Sequence, residues 1–78
     1  MLIIVTAPFC PPCDKTKKYL HKKGIKFRSV HFESDEGQKI IKKYHCYAVP
    51  LIVDPAHDKA VIGFSPKRID EMIRGLAS

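Results

Sequence analysis

The 78-residue sequence has no apolar run long enough for a transmembrane helix, and a membrane partner is not expected. Its first apolar stretch, residues 1–5, ends at Thr6 and follows no charged segment, so we do not expect a secretory signal. We therefore predict a cytoplasmic protein, whose thiols are kept reduced. The balance of 45% hydrophobic and 28% charged residues argues against disorder, and the length predicts a single domain, residues 1–78.

Cysteine is scarce and odd in number: Cys10, Cys13 and Cys46. A small scaffold held by several disulfides normally has an even number of cysteines. A zinc site needs four ligands, but there is no second C-x-x-C motif, and the neighbours His45 and Cys46 are poorly spaced to complete a tetrahedral site. A purely structural disulfide between Cys10 and Cys13 would close too small a loop to stabilise the fold much. The pattern therefore favours a redox dithiol, with no metal.

Acidic residues are few, 8 against 14 lysines and arginines, which gives a net charge of +6. The basic residues concentrate in residues 15–28 and 39–43. Such clusters attract nucleic acid or an acidic protein, or they simply form a solvated helix face. The sequence lacks nucleic-acid recognition motifs, so no nucleic-acid partner is expected. The helix face with Lys15, Lys17 and Lys18 is predicted to orient an acidic partner protein.

Turn and capping signals divide the chain into alternating strands and helices. A helix is predicted from Pro11 or Pro12 to Lys23, since proline is tolerated in a first turn and Gly24 suits a helix end. Its inner stripe is expected to contain Cys13, Thr16, Leu20 and Tyr19. The second helix is predicted to be capped by Ser34 or Asp35 and to reach about His45, with Ile40, Ile41 and Tyr44 on its apolar face. The third follows Ser65 and Pro66, with Ile69, Met72, Ile73 and Leu76 on one face.

Short β-branched or alternating segments predict strands at residues 2–6, 26–32, 51–53 and 60–62. The predicted order is therefore β-α-β-α-β-β-α. Alternating strands and helices favour a parallel crossover, closed here by a hairpin. The expected fold is α/β, a four-stranded mixed sheet with helices on both faces.

Cys10 is predicted to lie at the tip of the first helix, where free N–H groups and the helix dipole stabilise a thiolate. Its pKa is therefore expected below the free value of about 8.5. Cys13, one turn further, is placed to attack a mixed disulfide formed on Cys10. Asp14 opposes the thiolate, and Lys15 partly offsets that charge. A C-x-x-C motif between a strand and a helix in a small βαβ chain is typical of thioredoxin-like redox proteins.

Two positions leave alternatives open from the residues alone. Cys46 suits either a small buried apolar side chain or a regulatory thiol near the site. Pro50 stands at the first position of a strand. A cis bond between Val49 and Pro50 would expose the backbone of Val49 to an extended substrate, but the sequence does not determine the isomer.

Three segments resemble the glutaredoxin family, in order and spacing over almost the whole chain: Cys10-Pro11-Pro12-Cys13, Ala48-Val49-Pro50 and Gly63-Phe64. The resemblance implies a thioredoxin-like fold and a cis Pro50 beside the dithiol. It also implies that Cys10 attacks the substrate and that Cys13 resolves the mixed disulfide. The expected substrate groove is formed by Phe9, Pro11, Pro12, Val49, Pro50, Gly63 and Phe64.

Departures from the family pattern bear on the reductant. Glutathione-using glutaredoxins commonly have a lysine before the first cysteine, where this chain has Thr6, Ala7 and Pro8. They also have an aromatic residue at Pro12, a threonine at Ala48 and an acidic residue at the start of the last helix. The segment Gly63-Phe64-Ser65-Pro66 instead resembles the NrdH-redoxins, although Val61, Ile62 and Ser65 stand in the neighbourhood of their usual tryptophan and arginine.

The resemblance implies a monomeric dithiol–disulfide oxidoreductase with no bound cofactor. On this interpretation it reduces protein disulfides, as an electron donor to a protein such as ribonucleotide reductase, and is recharged by thioredoxin reductase with NADPH. The alternative is a glutathione-dependent glutaredoxin. A zinc-binding or nucleic-acid-binding module is a third, less favoured interpretation.

Overall fold

The computed structural model describes residues 1–77, with side chains to Gly75; the predicted inward position of Leu76 lies outside the described side chains. The elements are β1 (Leu2–Thr6), α1 (Pro11–Lys22), β2 (Phe27–His31), α2 (Asp35–Tyr44), β3 (Leu51–Asp54), β4 (Lys59–Ile62) and α3 (Pro66–Ala77). This order confirms the predicted β-α-β-α-β-β-α arrangement. None of the helices in the described part of the chain is both long and apolar enough to span a membrane.

The four strands form one mixed sheet in the order β2-β1-β3-β4. β1 is parallel to β2 and antiparallel to β3, and β3 and β4 form an antiparallel hairpin. Alternate side chains of the central strands point to opposite faces, as strand geometry requires. Ile4 and Ile52 pack with Leu20 of α1 and Ile69 of α3 on one face. On the other face, the core formed by Val5, Leu51 and Val53 packs against Ile41 of α2. Helices therefore cover both faces of the sheet.

The strand ends differ slightly from the predicted ones. β2 is shorter than residues 26–32, because it pairs only with β1, whose ends Leu2 and Thr6 lie opposite Phe27 and His31. The hairpin is longer than predicted, since Asp54 pairs with Lys59. The Asp54 side chain is 1% exposed, and its Oδ2 lies 2.7 Å from Nδ1 of His57 in the turn.

The helix ends follow local chemistry. α1 ends at Lys22, one residue earlier than predicted, and Gly24 beyond it has the left-handed φ of +70° that glycine adopts without strain. Its buried face consists of Cys13, Thr16 and Leu20, as the spacing predicts. The Ser34 hydroxyl caps α2 by accepting from the Gly37 N–H at 3.0 Å.

Candidate active site: the Cys10–Cys13 pair

Cys10 is the N-cap residue of α1, and its sulfur contacts the amide of Cys13 in the first helical turn. The Cys13 N–H donates to Cys10 Sγ at 3.2 Å, and the N–H groups of Cys13 and Asp14 both donate to the Cys10 carbonyl. Pro11 and Pro12 occupy the first two helical positions, where a missing N–H leaves no intrahelical hydrogen bond unmade. A sulfur that accepts an amide hydrogen bond at a helix tip is better placed to hold negative charge than one in water.

The two sulfurs differ in access. Cys10 and Cys13 form a disulfide, with Cα atoms 5.2 Å apart. Cys10 is half-buried and open to a partner, whereas Cys13 is 1% exposed beneath the first turn of α1. The hydroxyl of Thr16 donates to the Pro12 carbonyl at 2.8 Å and stays inside the helix face. An incoming thiol or thiolate therefore meets Cys10 first.

The sheet brings Pro50 and Gly63 to the same end of the strands as the dithiol. Val5 lies opposite Leu51, and Leu51 lies opposite Ile62, so the loops next to these three residues share one end of the sheet. The Val49–Pro50 peptide bond is cis, as the family resemblance implies. The Gly63 N–H donates to the Pro50 carbonyl at 2.8 Å, which fixes the loop before α3 against the start of β3.

Exposed aromatic side chains adjoin the site segments in the sequence. Phe9 is fully exposed and has a φ of +56°, a left-handed conformation that is strained for a side chain of this size. Phe64 is 36% exposed, and Val49 is half-buried. Tyr47, three residues before Pro50, is 74% exposed and was not predicted as a site residue. Its position directly before the Ala48-Val49-Pro50 segment is the sequence feature that could have identified it as a site residue. Exposed aromatic surface next to a reactive sulfur suits contact with a second protein.

A second group that sequence reasoning missed lies behind Phe64. The Tyr19 and Phe64 rings meet edge to face, with centroids 5.8 Å apart. The Tyr19 hydroxyl donates to Asp70 Oδ1, and Lys23 Nζ lies 3.9 Å from the same carboxylate oxygen. Phe64 is therefore supported by a polar link between α1 and α3. Tyr19 was predicted only as part of the inner stripe, and it is half-buried there.

Cys46 is half-buried beside the α2 core, and its Sγ lies 3.1 Å from the Tyr44 carbonyl oxygen. Across the part of the chain that the structure describes, no three His, Cys, Asp or Glu side chains gather closely enough to hold a metal ion. Cys10 and Cys13 are therefore not joined by His45 and Cys46 in one ligand set.

The glutaredoxin family model matches residues 2–57, which include Cys10, Cys13 and the cis proline. The chain belongs to the glutaredoxin family. A glutaredoxin-like 8.6 kDa protein from the rubredoxin operon of Clostridium pasteurianum is 34% identical over 76 residues, 94% of this chain and 97% of that protein.

Solved structures agree with this assignment. The structure of glutaredoxin Grx-1 from Archaeoglobus fulgidus superposes with a TM-score of 0.75 at 30% identity, over 94% of this chain and 85% of that one. A variant of a thioredoxin-like protein superposes with a TM-score of 0.80 at 20% identity, over 94% of this chain and 99% of that one. The predicted thioredoxin-like fold and family are thus confirmed. A glutaredoxin-family chain with a Cys10–Cys13 pair is a thiol oxidoreductase.

Proposed function

We propose that this glutaredoxin-family protein reduces disulfides of other proteins by two successive thiol–disulfide exchanges. The Cys10 thiolate attacks one sulfur of the partner's disulfide and forms a mixed disulfide, while the other partner sulfur leaves as a thiolate and takes up a proton. Cys13 then loses its proton, attacks Cys10 Sγ and displaces the remaining partner sulfur. The products are two partner thiols and the Cys10–Cys13 disulfide.

One observation carries this proposal: the amide of Cys13 donates to the sulfur of Cys10 while Cys13 itself stays buried. The hydrogen bond and the helix dipole favour a thiolate on Cys10, which makes it the attacking group. The buried Cys13 thiol, one helical turn away, suits the resolving step because a partner's second sulfur does not reach it. Exposed Phe9 and Phe64 give a protein partner apolar surface beside the sulfur.

We further propose that thioredoxin reductase, with electrons from NADPH, restores the dithiol, and that a protein such as ribonucleotide reductase is the substrate. The first turn of α3 supports this choice of reductant because it has no acidic residue. It begins with Pro66, Lys67 and Arg68, so it offers no carboxylate to the ammonium group of glutathione. Thr6, which stands in the region of the lysine expected in glutathione-using relatives, is 8% exposed and neutral.

A coupled assay separates the two recharging systems. The oxidised protein is mixed with insulin as the disulfide substrate and with either thioredoxin reductase or glutathione plus glutathione reductase, and NADPH consumption is followed. The Cys10→Ser variant provides the background rate. We expect faster turnover with thioredoxin reductase. Faster turnover with glutathione would identify the protein as a glutathione-dependent glutaredoxin, and no turnover with either system would refute disulfide reduction.

A further inference from the structure

The outer side of α1 and the start of β2 enclose a concave basic surface away from the dithiol. One hollow of about 340 Å³ is lined by Lys17, Lys18, His21, Lys22 and Phe27. A neighbouring hollow of about 480 Å³ shares His21 and Phe27 and adds Lys26. We call the residues Lys17, Lys18, His21, Lys22, Lys26 and Phe27 the Phe27 surface. Among the described residues, no acidic side chain lines either hollow.

The lysines of this surface are not neutralised within the described part of the chain. Lys23 lies 3.9 Å from Asp70, and Lys43 lies 3.9 Å from Asp58, so lysines elsewhere have carboxylate partners. Lys17, Lys18, Lys22 and Lys26 make no salt bridge with any described residue. Exposed ammonium groups around a half-buried phenylalanine complement an acidic side chain that adjoins an apolar one. Single-stranded nucleic acid fits less well, because its bases need a series of open aromatic platforms and this surface has one half-buried ring.

The Phe27 surface lies further along α1 from the dithiol, beyond the acidic Asp14, which lines neither hollow. Asp14, Lys17 and His21 are three and four residues apart and therefore share one stripe of the helix. Lys17 and His21 follow Cys10 by about 10 and 16 Å along the helix axis, at a rise of 1.5 Å per residue. An extended chain at roughly 3.3 Å per residue covers this distance in about three to five residues. A substrate segment attacked at Cys10 can thus place its neighbouring residues over Phe27.

We propose that the Phe27 surface binds a segment of the disulfide-bearing partner protein in which acidic side chains adjoin an apolar one, about three to five residues from the cysteine attacked by Cys10. This inference rests on the proposed disulfide reduction and defines its substrate class. The exchange chemistry is that described above, with the partner's disulfide as the oxidant and the two cysteines as the reductant. The surface contributes binding and selectivity, and the sulfurs carry out the reaction.

Two synthetic disulfide peptides test the selectivity. Both contain the same cystine and the same leucine, and they differ only in residues three to five from the cysteine, which are Glu-Glu-Asp in one and Gln-Gln-Asn in the other. The reduced protein is mixed with each peptide, the reaction is quenched with acid, and the released thiol is measured by chromatography. We expect the acidic peptide to react about three- to tenfold faster at low salt, a factor typical of a few exposed charge pairs, and the ratio to approach one at about 0.5 M salt.

Matched charge variants locate the effect. Lys18→Gln/Lys22→Gln removes two exposed lysines of the Phe27 surface, and Lys39→Gln/Lys42→Gln removes two exposed lysines of α2 with the same loss of charge. The ratio of acidic to neutral peptide rates should fall towards one in the first variant and persist in the second. An equal fall in both variants would mean that net charge, not this surface, sets the selectivity, and would overturn the proposal.

The remaining outcomes separate this inference from the proposed function. If the neutral peptide is reduced and the acidic peptide has no advantage, the docking proposal fails while disulfide reduction stands. If neither peptide is reduced, disulfide reduction itself fails. Fluorescence anisotropy with a labelled single-stranded oligonucleotide tests whether the surface binds nucleic acid instead. Oligonucleotide binding that is tighter than binding of the acidic peptide and is lost in Lys18→Gln/Lys22→Gln would assign the surface to nucleic acid and overturn the proposal.

Discussion

The Tyr19 hydroxyl donates a 2.5 Å hydrogen bond to Asp70 Oδ1, joining α1 to α3 across 51 residues of sequence. The hydrogen bond to Asp70 raises the pKa of Tyr19 above its ordinary value of 10.0, with desolvation adding to the shift. Because the Phe64 ring rests against the Tyr19 ring, the same contact supports one wall of the proposed substrate groove. A polar link between two helices thus holds an aromatic side chain near the dithiol.

The first prediction concerns this link at alkaline pH. A folded-state pKa above the unfolded value means that the hydrogen bond stabilises the fold below pH 10 and that this contribution is lost as pH rises through the raised pKa. Tyr19→Phe should therefore lower the melting temperature near neutral pH, and its difference from the wild type should shrink above pH 10. Thermal unfolding of the oxidised wild type and the oxidised variant, from neutral pH to above pH 10, measures the two melting temperatures. A constant difference at all pH values would contradict the assignment.

Tyr44 provides an internal comparison for that titration. Burial raises the pKa of Tyr44, and the nearby carboxylates of Asp58 and Asp54 add to the shift. Absorbance of phenolate in the wild type should therefore show two tyrosines that ionise late. Tyr19→Phe should remove one late component and leave the one from Tyr44.

The second prediction is a thiol titration of the reduced protein. In the disulfide form Cys10 Sγ accepts an amide hydrogen bond at a helix tip. The same amide would stabilise a thiolate in the reduced protein, so the pKa of Cys10 is expected below the free value of about 8.5. The pKa is measured from thiolate absorbance near 240 nm as a function of pH. The measurement uses the Cys46→Ser variant, so that the third thiol does not contribute. A Cys10 thiol that stays protonated above pH 8.5 would remove the physical basis of the proposed attack.

The third prediction separates the roles of the two cysteines. Cys13→Ser should accumulate a mixed disulfide between Cys10 and a protein substrate, because the resolving sulfur is missing. Cys10→Ser should form no such adduct, and its turnover should fall by about a hundredfold or more, since the nucleophile is lost. Non-reducing electrophoresis and intact-mass measurement detect the adduct. An adduct formed equally by both variants would show that either sulfur attacks.

The fourth prediction tests Phe9 as a substrate contact. Its side chain is fully exposed, so Phe9→Ala should change the free energy of unfolding by less than about 0.5 kcal/mol. The variant should nevertheless raise the KM for a protein substrate, because an exposed aromatic ring beside the nucleophile is a typical interface anchor. Steady-state kinetics with insulin gives KM, and urea unfolding gives stability. An unchanged KM would exclude Phe9 from the groove.

The fifth prediction compares two helical glycines with different surroundings. A Cβ at Gly37 would lie 2.2 Å from the His31 carbonyl oxygen, so Gly37→Ala should force α2 away from β2 and cost about 1–3 kcal/mol. At Gly75 the nearest atom to a Cβ is Lys59 Nζ at 3.8 Å, and alanine is the better helix former. Gly75→Ala should therefore be neutral or stabilise the fold by up to about 1 kcal/mol. Urea unfolding compares the two variants, and equal effects would contradict the close approach at Gly37.

Local chemistry made much of the fold predictable. α1 begins at Pro11, one of the two predicted starts, and ends before Gly24. Ser34, one of the two predicted caps, caps α2. The Cys10-Pro11-Pro12-Cys13 motif after a strand predicted the location of the dithiol, because a helix tip must follow. These features depend on neighbours within about one helical turn, and such interactions are readable from spacing alone.

Features that depend on distant or strained residues were not predictable in the same way. Tyr19 and Asp70 meet only because α1 and α3 pack on one face of the sheet, and nothing in either segment identifies the other. His45 ends α2 with a left-handed φ of +54°, although the usual glycine signal is absent. The isomer of Pro50 came from the family resemblance, since backbone preference alone favours trans.

The unequal exposure of the two sulfurs also determines how the oxidised protein can be opened. Any reductant that regenerates the dithiol must attack the more exposed sulfur of Cys10 and displace the buried sulfur of Cys13. The disulfide can therefore be opened from one side only. The same shielding protects the inner thiol from small oxidants, and irreversible damage should begin at the position that performs the first attack.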